Sequence, residues 1–443
     1  MSKIHMHYHT VTLQNNFVRD NPAPKLMGEE RTLMNARCRG KPVQVGLDDD
    51  DLGRGVLFVG GSGTGKSSAL LNLLKPIREN LSAEDVMVVF DYKCELHDAL
   101  ARPNDILIGN GGQGRAPNKR WSIFKELAQN NTKTMGDYAE NARVAASHII
   151  QDENLQTPIF TTAPRQALEY VLCVLARHPE LVEGELSNEA LIRFIEQSRY
   201  DEAVKAEPRY GVPLQAIVGP DNNPNQTALS MRMELTVNVK KALTGFNKGA
   251  GNSPLWSVAE TVNDRGGQCI YLQYDPSRGG VHNQVYSMIV ELFLEAALRN
   301  HDPRGHIYVV LDEVVQLGKA LVPTIQKATE TGRHYGVCTI AAAQSIAQMS
   351  NVYSELTTDA CLNNFQTKFW FKTGEEKSNK YLQDTCGKVL VQRCALTPGV
   401  AMRRDAATEN PALEQEDINA MGIGDCVYIS RKAKPCMLHI EKG

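Results

Sequence analysis

Short runs of uninterrupted apolar residues alternate with amphipathic stretches along most of this chain. Gly55-Val-Leu-Phe-Val59, Val86-Met-Val-Val-Phe90, Gly267-Gln-Cys-Ile-Tyr-Leu272, Ile307-Tyr-Val-Val-Leu311 and Gly336-Val-Cys-Thr-Ile-Ala341 each read as a buried strand. Ser68 to Leu74, ending before Pro76, and Ala320 to Thr331 read as helices. Strands that are apolar along their whole length, alternating with helices, predict a mainly parallel sheet covered on both faces. From about Asp137 to Ser198 the pattern changes. Apolar residues there recur with the helical period, as at Ala167, Leu168, Val171, Leu172 and Leu175, with Pro164 and Pro179 as punctuation. Asp201 to Pro224 is looser and proline-bearing. The expectation is an α/β fold interrupted by an all-helical insertion at about 126–232, which divides the α/β part into 1–125 and 233–443.

Chemistry enters at the end of the first strand. Gly60-Gly61-Ser62-Gly63-Thr64-Gly65-Lys66-Ser67 is a complete G-x-x-x-x-G-K-S phosphate loop, followed by Ser68. Glycines allow the backbone to bend around phosphate and offer it N–H groups. Lys66 would reach the outer phosphates of ATP, and the Ser67 hydroxyl would hold Mg2+. Strand, glycine loop and helix N-terminus are the context this chemistry requires. Asp312 and Glu313 close another strand. In P-loop enzymes such a strand lies beside the phosphate loop, with the first acid on Mg2+ and the second placed to polarise the attacking water. Asp91 and Gln344 also stand at C-terminal strand ends, where open parallel sheets bind ligands. Gln344 would touch the γ-phosphate or its water, or else serve as a polar strand cap.

The composition narrows the class. The chain has 443 residues, 42% hydrophobic and 22% charged, with a net charge of −3. That balance suits an ordinary globular protein and carries no overall positive field for nucleic acid. A locally basic groove is compatible with it, and Lys240, Lys241, Arg115, Lys119 and Arg120 are its candidates, although such runs are more often solvated faces. Ten cysteines without a C-x-x-C pair suit buried thiols in a reducing compartment. No apolar run has the length of a membrane span.

Taken in order, the phosphate loop, Asp91-Tyr-Lys-Cys-Glu-Leu96, Trp121-Ser-Ile-Phe-Lys-Glu126, Leu311-Asp-Glu-Val314, Gly332-Arg333 and Ala343-Gln-Ser345 resemble successive landmarks of the type IV secretion coupling proteins. These are the ring-shaped DNA-translocating ATPases of bacterial conjugation. The resemblance runs from about residue 40 to the end. It implies a RecA-like P-loop domain with an inserted all-α domain, ATP and Mg2+ as cofactors, and a hexamer with DNA in a central pore. A relaxase and secretion-channel ATPases are the further partners it implies. Arg333 would be an arginine finger serving a neighbouring subunit, the alternative being a cation that caps the preceding helix. Two departures stand out. The family's Asp-Pro-Lys-Gly-Glu reads Asp-Tyr-Lys-Cys-Glu here, and the family's N-terminal membrane segment is absent. A cytoplasmic protein that meets the inner membrane only through partners is expected.

Other features have plainer readings. His5, His7 and His9 alternate as zinc ligands on a strand would, but suit an exposed strand or frayed terminus better. Asp48 to Asp51 read as a solvated turn. Trp121 and Trp256 read as packing residues. The functional expectation is an ATP-hydrolysing DNA translocase that couples a relaxase–DNA substrate to a secretion channel. A motor for segregation, repair or packaging, and a nucleotide-dependent recruiting adaptor, stay open as alternatives.

Overall fold

The computed structural model describes residues 7–15, 32–38, 40–110, 115–129, 134–151, 159–208, 212–219, 224–274, 280, 282–300, 304–396, 403–404 and 407–441. His5 lies outside them. The chain divides into two compact units, residues 1–80 with 340–443, and residues 81–339.

In the first unit, the Val56–Val59 strand is wholly buried and has parallel neighbours on both sides. Residues Ile340–Ala343 flank it on one side and Thr367–Phe371 on the other. From Thr367–Phe371 the sheet continues antiparallel through Asp425–Ile429, Cys436–His439, Thr32–Cys38 and Lys41–Leu47. A second, small antiparallel sheet pairs His7–Asn15 with Lys388–Leu396. The helix after the phosphate loop spans Lys66–Glu79 and passes through Pro76 instead of stopping before it. Pro76 sits in the last turn, where its missing N–H removes a single bond. Its carbonyl accepts from the Asn80 backbone (3.2 Å) and the Asn80 side chain (2.8 Å). The acidic run is ordered as well. Asp48 and Asp51 form a reciprocal cap around the short helix Asp49–Gly53, and Lys432 binds both carboxylates at 2.6 and 2.8 Å.

In the second unit, Ile307–Leu311, Val86–Asp91, Gln268–Gln273 and Ile106–Gly109 form an all-parallel array in that order. The helix Asn283–Leu298 is apolar nearly all round, and its burial on every side follows. Helices Met135–Ile149, Ile159–Arg177 and Asn188–Glu196 occupy the stretch with helical periodicity. Thr134 and Ser187 cap the first and third of these. The stretch that reads as loose also holds helices, Tyr200–Ala206 and Val212–Val218. Gln226–Leu243 is one helix that runs through position 232.

Trp121 and Glu126 tie the entrance of this helical stretch to its exit. Glu126 is fully buried, and its carboxylate accepts from Trp121 Nε1 (2.7 Å), Val258 N (2.8 Å) and Ala259 N (2.8 Å). Asn188 spans Trp121 O and Ile123 N, and Asn247 spans both backbone groups of Trp121. Trp121 is buried against Phe246, as a packing residue should be, and pairs in register with Trp256. Cys394 aside, the cysteines are free thiols, and eight of those nine are buried.

Burial pushes the Glu126 carboxyl up to about 7 from an ordinary 4.5, against the pull of the groups that donate to it. A proton on this group therefore favours the folded state. The contribution is full below about 4.5 and is lost as pH rises through about 7. Glu126→Gln removes the titration. The wild-type lead over this variant in thermal unfolding should shrink between pH 5 and pH 8, and an unchanging lead would place the titration elsewhere.

Candidate nucleotide site

In the first unit the Val56–Val59 strand delivers residues 60–65, and the helix Lys66–Glu79 receives them. Neighbouring chain segments hold this loop through its backbone. Gly60 N–H donates to Ala343 O (3.2 Å), Gly61 N–H to Lys372 O (3.0 Å), and Gly424 N–H to Thr64 O (2.9 Å). The Thr64 hydroxyl closes the turn onto Gly61 O at 2.8 Å. Space explains the glycines. A Cβ on Gly60 would lie 2.5 Å from Phe371 Cβ, and one on Gly65 would lie 2.8 Å from Gly424 N. Gly63 and Gly65 also have φ of +75° and +102°, in the left-handed region.

Gly65 is the N-cap, and no side chain caps this helix. The N–H groups of a first helical turn have no partner within the helix, and together with the helix dipole they favour an anion. Lys66 is largely buried at the head of the helix, with Ser67 and Ser68 half-buried behind it. Gln344 directly follows Ala343, whose carbonyl holds Gly60, so the structure brings Gln344 to the edge of the loop. The donors, the lysine and the hydroxyl fit a nucleotide's phosphates and Mg2+.

In the second unit Asp312 and Glu313 are 5% and 2% exposed at the end of Ile307–Leu311. Asp312 N–H donates to Phe90 O at 3.2 Å, which sets it beside the adjacent strand end at Asp91. Asp91 is fully buried, and Oδ2 accepts from His97 N–H at 2.7 Å. It thereby anchors the helix Glu95–Leu100, which Cys94 enters at φ 61°. Burial pushes the Asp91 carboxyl up to about 6 despite those bonds. Arg333 is exposed in the tight turn Gly332–Tyr335, beyond the helix Val322–Thr331.

Sequence reasoning missed Phe371, Lys372 and Gly424, which shape the loop from a distant part of the chain. The Gly422-Ile-Gly424 turn was the available signal. Three candidate basic residues have acidic partners: Arg115 with Asp98, Arg120 with Glu185 at 3.1 Å, and Lys240 with Glu196 at 2.5 Å. Among the described residues no group of His, Cys, Asp and Glu could hold a metal by itself, and no helix is long and apolar enough to cross a membrane.

The family model of the type IV secretion-system coupling protein DNA-binding domain matches residues 44–420. The chain belongs to the coupling proteins. No curated protein matches the sequence. Solved structures do. The plasmid coupling protein TrwB in complex with ADP and Mg2+ is 15% identical, with a TM-score of 0.71 over 100% of this chain and 95% of that one. TrwB with the GTP analogue GDPNP gives 15%, 0.71, and 100% and 96%. VirB4 of Thermoanaerobacter pseudethanolicus gives 14%, 0.56, and 94% and 97%. At these identities the likeness is one of fold: a RecA-like α/β coupling-protein fold with mainly parallel strands and an all-α insertion.

Gly65→Ala tests the loop's geometry. The strained φ and the contact with Gly424 should cost about 1–3 kcal/mol in denaturant unfolding. A neutral effect would mean the loop is not fixed by this approach.

Proposed function

We propose that this coupling protein is an ATP-hydrolysing, hexameric DNA translocase that delivers a relaxase–DNA substrate to a type IV secretion channel. The observation that carries the reading is the glycine-defined phosphate cradle at Gly60–Ser67 within a chain of this family. ADP and Mg2+ bound to TrwB, a protein of the same fold, support the cofactor assignment.

In this reading Lys66 neutralises the outer phosphates, and Ser67 and Asp312 are magnesium ligands. Glu313 polarises the attacking water, and Gln344 senses the γ-phosphate or its water. Arg333 acts in a neighbouring subunit as an arginine finger, for which its exposure is suited. Residues 126–232 are taken as the inserted helical domain, between nucleotide-binding parts 1–125 and 233–443. DNA passes through the ring's pore, and the protein works in the cytoplasm, reaching the inner membrane through its partners.

ATP turnover with and without DNA separates a motor from a recruiting adaptor, since an adaptor's turnover would not respond to DNA. Lys66→Ala should abolish turnover, and near-normal activity would end the phosphate-loop reading. Glu313→Gln should keep nucleotide bound while blocking hydrolysis. Failure of that variant to bind nucleotide would make Glu313 structural.

Arg333→Ala should bind ATP normally yet lose about 10³ in turnover. Mixing it with Lys66→Ala subunits should restore part of the activity, because an intact Lys66 can then face an intact Arg333. Absence of rescue, where wild-type subunits are shown to exchange, would sink the finger. A strictly monomeric protein, with ATP and DNA present, would sink the ring.

A further inference from the structure

The helix Gln226–Leu243 departs from the usual division between a buried apolar face and a polar outer one. Its inner face is buried through Met231, Leu235 and Val239. On its outer face Leu229, Met233 and Val237 recur every fourth residue and all are exposed, Met233 at 70%. Residues spaced four apart form one continuous ridge, the feature against which another helix packs. Lys241, also exposed, extends the ridge by one turn, and Arg232, Thr236 and Lys240 form the row beside it. An apolar ridge left in water among polar neighbours marks an interaction surface.

The chain carries a second face of matching form. In the helix Glu355–Asn364, Leu356 is 84% exposed, and Ala360, one turn on, is exposed with it. The row beside this pair is acidic, Glu355 and Asp359. Several of the charges at the two faces are held within the chain. Glu355 binds Lys377 at 2.8 Å, Lys240 binds Glu196 at 2.5 Å, and Arg232 donates to Ile217 O at 2.8 Å. Lys241 and Asp359 have no ion-pair partner among the described residues.

We propose that these two faces meet between neighbouring copies of the chain. Leu229, Met233 and Val237 of one copy lie against Leu356 and Ala360 of the next, with Lys241 opposite Asp359. The inference rests on the ring reading above and names one of its subunit contacts. Charge selects this pairing. A two-fold pairing of the ridge with its own copy would set the Arg232–Lys240 row beside itself, whereas the row of Glu355 and Asp359 complements it. Because the two faces differ, each copy offers one and accepts the other, and copies add head to tail until a ring closes. A few side chains on each face fall well short of the roughly 20–30 residues a side of a self-sufficient interface. The contact is therefore one part of the ring interface and makes no dimer by itself.

Sedimentation of the full chain with ATP and DNA, over a range of protein concentrations, tests this. Met233→Asp and Leu356→Asp should each raise the concentration for half-assembly about tenfold. Lys241→Glu or Asp359→Lys alone should raise it about threefold, and the two together should return it to within about twofold of wild type. Wild-type assembly by both Met233→Asp and Leu356→Asp overturns this contact and leaves the ring standing. Loss of assembly in only one of them, or no rescue in the charge swap, overturns the pairing of these two faces. A wild-type chain that stays monomeric overturns the ring reading and the contact with it. Should a variant fail to fold, carbodiimide coupling of the wild-type assembly, mixed from isotope-labelled and unlabelled copies, decides. An amide between Lys241 of one copy and Asp359 of another supports the contact, and its absence from the coupled ring overturns it.

Discussion

The Gly424 backbone comes so close to Gly65 that a Cβ there would lie 2.8 Å from Gly424 N, and the shape of the phosphate loop follows from that approach. With Gly424 N–H on Thr64 O, Ala343 O on Gly60 and Lys372 O on Gly61, the loop's backbone is fixed by three segments that lie far along the chain from it. The donors that would meet phosphate are therefore set before any ligand arrives, which is the condition for electrostatic preorganisation. Within the loop the Thr64 hydroxyl adds a side-chain bond to Gly61 O.

The second unit solves a different problem, how to anchor a long helical excursion to a parallel sheet. Its answer is polar and buried. One carboxylate, Glu126, gathers an indole N–H and two backbone amides, and two asparagines saturate the backbone around Trp121. Apolar packing against Phe246 surrounds the knot. Buried polar groups satisfied in this way select one geometry where hydrophobic contact alone would tolerate several.

Much of this was legible in the sequence because the central strands carry their own signal. Val86–Asp91 and Ile307–Leu311 are buried on both faces and read as continuous apolar runs. The phosphate loop was legible because its glycines are demanded by local geometry at Gly63 and Gly65. What escaped was set mostly by distant partners, with one local exception. Pro76 reads as a stop, yet the helix ends at Glu79, since a proline in a last turn disrupts little. Asp48–Asp51 read as a solvated turn because nothing local announces Lys432. Gly424 looks like an ordinary turn glycine until the chain folds it against Gly65.

The unit that carries the phosphate loop is assembled from residues 1–80 and 340–443, whereas the other unit is one unbroken stretch, 81–339. During synthesis this imposes an order. The loop emerges early but must wait for Ala343, Lys372 and Gly424, a delay on the order of tens of seconds at ordinary elongation rates. The intervening stretch can collapse on its own in that time. The N-terminal strand His7–Asn15 waits as well, for its partner Lys388–Leu396. A chain halted before Ala343 would thus present a folded middle and an unformed cradle. The cradle can close only once Gly424 has been made.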